Sequence, residues 1–470
     1  MTDVPEPSST DNVICKKCNC DAKAKVIECS NKSLTKMFSV EDWAVLNATT
    51  DSYEVLKLDH NRIENVDVPF PALRFHLKVI DFRHNKIKQV INKCFINLEY
   101  LEEVDFSFNE LTAGTLKPEI FEGKFNADEY EPLLKLKRLR LSYNLLNNID
   151  TEVFEHTKHL EELYLDNNPF QIIHTNVLSA FGDLQHLQVL DMSRMELSSL
   201  PVDVFHPLPA LKVLILDGNL FKTIPDALKH ARNVKQLSLS DNPILDLSED
   251  NAMVPMPQLE VLNMTFMKSL HNIGKGAFAG LANLTELHLS NNHHLEFIHP
   301  EAFQFPEQDN PEIVQWPLLK RLFLENNNLT GLDSNTFIKW QQMEEVHIHD
   351  NPWLCDCELS WVEKTLMPVI KKTTPHLIDH IKCASPRPLF GEKLLDLSDN
   401  HREMRCLDKY GAHPERDSAL LVALLIGVLL GLPLAFASIM IYKRGCGRRG
   451  PADFSRAFYK RADMQEDVRI

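Results

Sequence analysis

Between Asn61 and Asn351 the chain repeats one frame, L-x-x-L-x-L-x-x-N-x-L, through twelve turns. A period of about 24 residues forces successive turns of backbone to stack into a solenoid. The first full turn reads Val55-Leu56-Lys57-Leu58-Asp59-His60-Asn61-Arg62-Ile63, and the second Leu77, Ile80, Phe82, Asn85 and Ile87. The later ladder positions are Asn109, Asn144, Asn168, Met195, Asn219, Asn242, Met267, Asn292, Asn327 and Asn351. Each L-x-L segment predicts a short strand with two inward residues, because strand side chains alternate between faces. The asparagine amide can bond turn backbone groups that would otherwise be buried unpaired. Phe95, Phe154, Phe205 and Phe337 follow ladder positions by about ten residues, with Phe278 and Phe303 one later, which predicts an aromatic spine on the convex side. These residues are read as scaffold, which builds a surface without binding.

Two rungs depart from the frame, because a methionine at 195 and 267 fills space without hydrogen-bonding the turn. Water or local distortion is expected to satisfy the backbone there. Two intervals, Asn109 to Asn144 and Asn292 to Asn327, each span 35 residues. The first extra stretch carries Glu119, Glu122, Asp128, Glu129 and Glu131; the second carries Glu301, Glu307, Asp309 and Glu312 with Pro306, Pro311 and Trp316. Insertions into a solenoid are expected as acidic surface loops.

The net charge is -16, and the last 28 residues hold eight Lys or Arg against four Asp or Glu, leaving -20 for residues 1–442. Nucleic acid is therefore not an expected partner, since phosphates repel such a surface. Cys15, Cys18, Cys20 and Cys29 precede the first turn, and Cys355, Cys357, Cys383 and Cys406 follow the last. Solenoid ends need covers, and disulfides stabilise covers too small to build a core. Zinc is the lesser reading of the C-x2-C spacing. Cys94 stands alone in the array and reads as a buried, inert thiol.

The stretch Asn351-Pro352-Trp353-Leu354-Cys355-Asp356-Cys357-Glu358-Leu359-Ser360-Trp361, followed by Cys383 and Cys406, resembles the cysteine-rich C-terminal cap of extracellular leucine-rich repeat proteins. The N-terminal C-x2-C-x-C-x8-C group resembles their N-terminal cap. The chain as a whole is similar to the single-pass, type I transmembrane members of that family. The resemblance implies an α/β repeat solenoid: a leucine-rich repeat horseshoe with a parallel concave sheet, disulfide-bonded caps and one transmembrane helix. It also implies that Cys355 pairs with Cys383 and Cys357 with Cys406. Cys15 would pair with Cys20 or Cys18, and Cys29 with whichever remains.

Ala419 to Tyr442 is an uncharged run of 24 residues, about 36 Å as a helix and long enough to cross a bilayer. Lys443, Arg444, Arg448 and Arg449 follow it and Glu415-Arg416-Asp417 precede it, so the tail is expected in the cytosol and the repeats outside, at the plasma membrane. The chain opens Met-Thr-Asp-Val-Pro-Glu-Pro without an apolar run, and a leader is expected to have been removed or to lie upstream of this start. Sequons at Asn31, Asn47, Asn263, Asn283 and Asn328 predict glycosylation. Of these, Asn263 falls between Leu262 and Met264 on a strand, where a glycan would block the concave face at the ninth repeat. The divisions read as a polar N-terminal segment (1–12), N-terminal cap (13–52), twelve repeats (53–352), C-terminal cap (353–406), stalk (407–418), span (419–442) and cytoplasmic tail (443–470).

Outward positions on repeats three to six bring Phe108, Arg140, Tyr143, Tyr164, Asp166, Asp191 and Arg194 into one predicted patch. Aromatic residues beside arginine are what a protein-binding hot spot uses. Phe266, Phe323, His347 and His349 form a second candidate, with the two histidines on one strand face as a metal pair or a pH-sensitive contact. No nucleophile, phosphate-binding or metalloprotease frame occurs, so neither an enzyme nor a cofactor is expected. In the span, Gly427 and Gly431 form G-x-x-x-G, a dimer face, and Pro433 predicts a kink. Cys446 is a palmitoylation candidate, Ala452 to Met464 predicts a basic amphipathic helix, and Val468 with Ile470 suits a PDZ-type adaptor. The resulting expectation is a cell-surface adhesion molecule or non-catalytic receptor whose repeats bind an extracellular protein ligand or an apposed cell-surface protein. An auxiliary subunit of an ion channel or other membrane protein, and a shed ligand trap, are the alternatives.

Overall fold

The computed structural model describes residues 13–127, 129–307, 312–336, 342–399, 404, 406 and 414–445. Among these, fourteen short strands hydrogen-bond side by side in one sheet. Two belong to the N-terminal cysteine segment, β1 (Asn19–Asp21) and β2 (Val26–Glu28). Twelve come from the repeats: β3 (Val55–Lys57), β4 (Val79–Asp81), β5 (Glu103–Asp105), β6 (Arg138–Arg140), β7 (Glu162–Tyr164), β8 (Val189–Asp191), β9 (Val213–Ile215), β10 (Gln236–Ser238), β11 (Val261–Asn263), β12 (Glu286–His288), β13 (Arg321–Phe323) and β14 (Glu345–His347). Within this sheet, among the described residues, only β1 and β2 pair antiparallel; from β2 onward every neighbour is parallel and in register, Leu139 opposite Leu163 and Leu163 opposite Leu190. A parallel strand needs a crossover, and here the rest of each repeat supplies it.

The inward leucines are fully buried, Leu139, Leu141, Leu163 and Leu165 among them, each contributing about 1.5–3 kcal/mol. The ladder lies beside them as a chain of hydrogen bonds. Asn85 Nδ2 donates to Leu58 O (2.9 Å) and Phe82 O (3.0 Å), while its Oδ1 accepts from Ile63 N–H (3.0 Å), so one amide links two turns. At Met195 the next rung compensates. Asn219 Oδ1 accepts from both Met195 N–H and Leu197 N–H at 3.1 Å, and its Nδ2 reaches Met192 O at 2.9 Å. The Phe170 N–H turns instead to Asn168 O (2.9 Å), a local tightening of the preceding turn. Asn292 does the same for Met267, accepting its N–H at 2.7 Å and donating to Met264 O.

The aromatic spine exists and is longer than the spacing predicts. Phe70, Phe95 and Phe121 stack at 6.0 and 6.1 Å, and Phe278 lies 4.8 Å from Phe303. Phe154, Phe181 and Phe205 are buried on the same pattern, while Phe337 lies outside the described residues.

The two insertions differ from the expected loops. Each carries a two-stranded antiparallel hairpin, Phe125–Asn126 with Glu129–Tyr130 and Phe305–Pro306 with Val314–Gln315. Nor is the first uniformly a charged surface, because Glu122 is buried and lies 3.6 Å from Lys93 Nζ. Asp128, Asp309 and Pro311 lie outside the described residues.

At the N-terminal end Cys15 bonds Cys20 and Cys18 bonds Cys29. The helix Val40–Asn47 is closed by a capping box between Ser39 and Asp42 and buries Trp43 against Phe38 and Phe70. At the other end Cys355 bonds Cys383, and Cys357 and Cys406 are each in a disulfide. There Trp353 Nε1 donates to Ile348 O (3.0 Å) and Trp361 Nε1 to Leu332 O (2.7 Å), pinning the terminal segment to the last turns. Cys94 is free and buried, and burial pushes its thiol pKa up.

A separate unit begins at Arg405. Its helix, Pro414–Gly445, runs through Pro433, and Leu421–Lys443 is long and apolar enough to cross a membrane, with mean hydropathy 2.5. Residues 407–413, Cys446, Val468, Ile470 and the tail segment Ala452 to Met464 lie outside the described residues.

Candidate protein-binding face

The solenoid leaves one face of the sheet open, and the ladder dictates which side chains populate it. In every turn the residue just before the ladder position takes a left-handed backbone: His60 (φ 53°), His84 (53°), Phe108 (57°), Tyr143 (53°) and Arg194 (51°). This conformation favours glycine, which fills the equivalent place in turn seven as Gly218 (φ 64°). Bulky residues there cost about 1 kcal/mol or more each, and this chain puts aromatic rings at four in a row.

Those rings form a continuous stack. The centroids of His60 and His84 lie 4.4 Å apart, His84 and Phe108 4.1 Å, and Phe108 and Tyr143 4.1 Å, with planes within 30° of parallel. Phe108 is 38% exposed and Tyr143 40%. Burial lowers the His84 pKa, with the His60 and Arg83 charges adding to the effect.

Beside the stack runs the strand column Asp81, Asp105, Arg140, Tyr164, Asp191, Ile215, aligned by the parallel register. Its N-terminal half is an ion-pair network. Arg83 bonds both Asp81 oxygens and lies 3.5 Å from Asp105. Arg138 bridges Glu103 (2.6 Å) and Glu162 (2.7 Å). Arg140 Nε sits 3.2 Å from Glu103, and its guanidinium lies over the Tyr164 ring at 4.2 Å. The Arg138 hydrogen bond holds the Glu162 carboxyl below the usual carboxylate range. Burial raises Asp105 despite the nearby Arg83, so desolvation outweighs the ion pair there.

Farther along, cations give way to hydroxyls and amides. Asp166 accepts from Ser142 Oγ and from Asn167 Nδ2 (2.8 Å), and Asp191 from Ser193 N–H (2.9 Å) and Oγ (2.5 Å). Burial, reinforced by the Asp166 and Asp217 charges, pushes Asp191 up to about 6. Arg194 lies across Gly218, where a Cβ would come within 2.6 Å of its Cγ.

The seven residues of the predicted patch thus occupy one stretch of the open face in three adjacent columns: Arg140, Tyr164 and Asp191 in one, Phe108, Tyr143 and Arg194 in another, and Asp166 between them. What the outward-residue reading misses is His60 and His84 in the stack, and Arg83, Glu103, Arg138 and Glu162 in the network. Aligning the turns on the asparagine would have placed both histidines under Phe108. Nothing in the frame marks Arg140 as already engaged.

In the second candidate, Phe323 stacks on His288 at 4.2 Å and meets His347 edge-on at 4.7 Å, with His349 a further 5.7 Å along. Carboxylates do reach His347, Glu345 at 3.0 Å and Glu325 at 3.9 Å, which strand spacing alone does not suggest. No group of three or more His, Cys, Asp or Glu among the described residues is arranged to hold a metal. Phe266 stands exposed in turn nine with φ 56°.

Of the sequons, Asn263 is on β11 in the open face, its Oδ1 accepting from Ser240 Oγ (2.9 Å). The Asn47, Asn283 and Asn328 amides donate to Ala72 O, Pro257 O and Glu296 Oε1. Asn31 is exposed in a left-handed conformation.

Comparison with known proteins agrees with this architecture. A family profile described as leucine rich repeat matches residues 134–189, 178–221 and 257–308. Osteomodulin of Bos taurus is 26% identical over 281 residues, 59% of this chain, and lumican of Coturnix japonica is 25% identical over 281 residues, 56% of this chain and 76% of the lumican. The matched region spans under two thirds of the osteomodulins, 58% of the Bos taurus protein and 59% of the Rattus norvegicus one. The structure of the Drosophila Toll–Spatzle complex aligns with TM-score 0.51 at 19% identity, over 77% of this chain and 49% of that one, a likeness of fold. Sheet, asparagine ladder and matched segments together make this array a leucine-rich repeat solenoid.

Proposed function

We propose that the chain is a single-pass cell-surface recognition protein, an adhesion molecule or non-catalytic receptor, that binds a protein ligand on the open sheet face of its repeats. The observation that carries this reading is the four-ring stack of His60, His84, Phe108 and Tyr143, held in left-handed backbone that glycine would occupy at less cost. Stacking offsets part of that backbone cost, and the exposed ring edges offer a partner rigid apolar area at small entropic cost. The apolar helix, flanked by Glu415-Arg416-Asp417 before and Lys443, Arg444, Arg448 and Arg449 after, supports an anchor with the repeats outside. Disulfides at both ends of the array suit the same compartment.

The test is a binding screen of the full chain, displayed on cells, against a panel of surface and secreted proteins. The reading expects at least one specific partner that is lost when Phe108 and Tyr143 are both replaced by glycine. A partner retained in full by that variant would move recognition off this face, and absence of any partner would overturn the reading.

A further inference from the structure

The residue just before each strand forms a column of its own along one edge of the solenoid. Through turns four to nine that column is Lys137, Glu161, Gln188, Lys212, Lys235 and Glu260, and each N–H from Glu161 onward donates to the carbonyl of the rung before it, at 2.7 to 2.9 Å. On the N-terminal side the charges alternate. Glu54, Lys78 and Glu102 lead into Lys137 through the same backbone bonds, Lys78 lies 3.0 Å from Glu54, and Lys137 lies 2.8 Å from Glu161.

In turn six the alternation breaks. Gln188 stands where a carboxylate is due, and its Oε1 accepts from Lys212 Nζ at 2.9 Å. Lys235 follows directly and takes Glu260, at 2.6 Å. Three lysines thus share two carboxylates over these six rungs, and Lys212 is the one bonded to an amide. An amide oxygen accepts from an ammonium but does not neutralise it.

The break lies in a groove. The rungs line about 550 Å³ of open space together with Leu134, Pro209 and the rings of His159 and His186, all exposed, the two rings stacked at 5.2 Å. Asn233 Nδ2 holds the Pro209 wall by donating to its carbonyl at 2.8 Å. A carboxylate brought by another molecule adds the Coulomb attraction that Gln188 lacks, and the apolar walls strengthen it by excluding water. The flanking rungs limit the length of what binds. Glu161 and Glu260 stand four rung spacings apart, about 19 Å, which about six extended residues span. A longer polyanion gains nothing from the neutralised rungs beyond.

We propose that this edge groove is a second interaction surface, which receives a short acidic segment of a partner protein, with a carboxylate on Lys212 and apolar residues against Leu134 and the His159 and His186 rings. It lies off the sheet face and stands independently of the reading given there.

The experiment uses the full chain in uncharged detergent and three labelled probes, the peptides (Leu-Glu)3 and (Leu-Gln)3 and a heparin hexasaccharide, with dissociation constants read by anisotropy. The proposal expects (Leu-Glu)3 to bind, against the repulsion of a protein of net charge -16, and (Leu-Gln)3 not to bind. Lys212→Met should weaken the acidic peptide about fivefold or more. Gln188→Glu, which completes the alternation, should do the same while the melting temperature stays level or rises, so that loss of binding is separated from loss of fold. Lys320→Met removes the same charge from the same column outside the groove, where Lys320 lies 3.2 Å from Glu344, and should leave the constant unchanged. Absence of acidic-peptide binding, unchanged binding to Gln188→Glu, or equal weakening by Lys320→Met would overturn the proposal. Tighter binding of the hexasaccharide than of the peptide would mark a site for sulfated sugar and overturn it as well. The sheet-face reading survives each of these results, because its own test is the partner lost on replacing Phe108 and Tyr143.

Discussion

Asn219 carries two rungs of the ladder, and its removal is the sharpest structural test. Replacing it with alanine deletes four bonds: Oδ1 to Met195 N–H and Leu197 N–H at 3.1 Å, and Nδ2 to Met192 O and Leu216 O at 2.9 Å. The site is 2% exposed, so water cannot easily replace them. At about 1 kcal/mol per bond the loss is about 4 kcal/mol, concentrated in turns six and seven because Met195 offers no second amide. A solenoid unfolds in units of neighbouring repeats, so a single global melting temperature would understate the effect. Hydrogen exchange resolves it: amides between Met192 and Leu220 should exchange roughly a thousandfold faster than in the natural chain, with turns two and three unchanged. Asn233→Ala, which removes one exposed bond to Pro209 O, is the control. Acceleration of less than about fivefold, an effect near 1 kcal/mol, would refute the view that one asparagine does the work of two.

Three further outcomes follow from the open face. Phe108→Gly should abolish partner binding while moving the melting temperature by no more than a few degrees, since glycine relieves the left-handed backbone but gives up the ring contacts with His84 and Tyr143 and loosens the unfolded chain; a fall of many degrees would mean the ring is scaffold. Asp191 should titrate near 6 by carboxyl NMR. Because its folded pKa is raised, charged Asp191 costs stability above that value, and the cost disappears as pH falls from about 6 toward the unfolded value near 4; a midpoint near 4 would contradict the burial argument. Arg138→Ala should return the Glu162 midpoint upward toward the ordinary range. The stabilisation of the depressed carboxylate, present at neutral pH and lost as pH falls through its folded pKa, should then disappear, at about 1 kcal/mol or less for so exposed an arginine. An unmoved Glu162 midpoint would show that the network does not hold it.

The fold was legible because period and alternation are local: Leu139 and Leu141 face inward for the same reason in every turn, and Asn144 follows them at a fixed distance. The spine was legible only in part, since Phe70, Phe121 and Phe181 lie at spacings set by turns of unequal length. The insertions defeated composition, because acidic residues suggest solvent and yet Glu122 is buried near Lys93. Within the site, the patch residues could be chosen from their outward positions. The stack needed the turns to be aligned on the asparagine, which puts His60, His84, Phe108 and Tyr143 in one column, and the left-handed backbone there aims the rings at one another. Ion pairing was illegible for a different reason: Arg138 finds Glu103 and Glu162 through the lateral register of β5, β6 and β7, and Glu103 is 35 residues away in sequence.

The central claim is that the open face between turns one and six is where a protein partner sits. Hydrogen exchange and hydroxyl-radical footprinting of the full chain, alone and with a partner captured in the display screen, measure that directly. The account predicts protection of His84, Phe108, Tyr143 and Asp191 and their neighbouring strand residues, with the Phe95 and Phe154 side of the repeats unchanged. Protection confined to the hairpins at Phe125–Asn126 and Phe305–Pro306, or to the side away from the sheet, would contradict it.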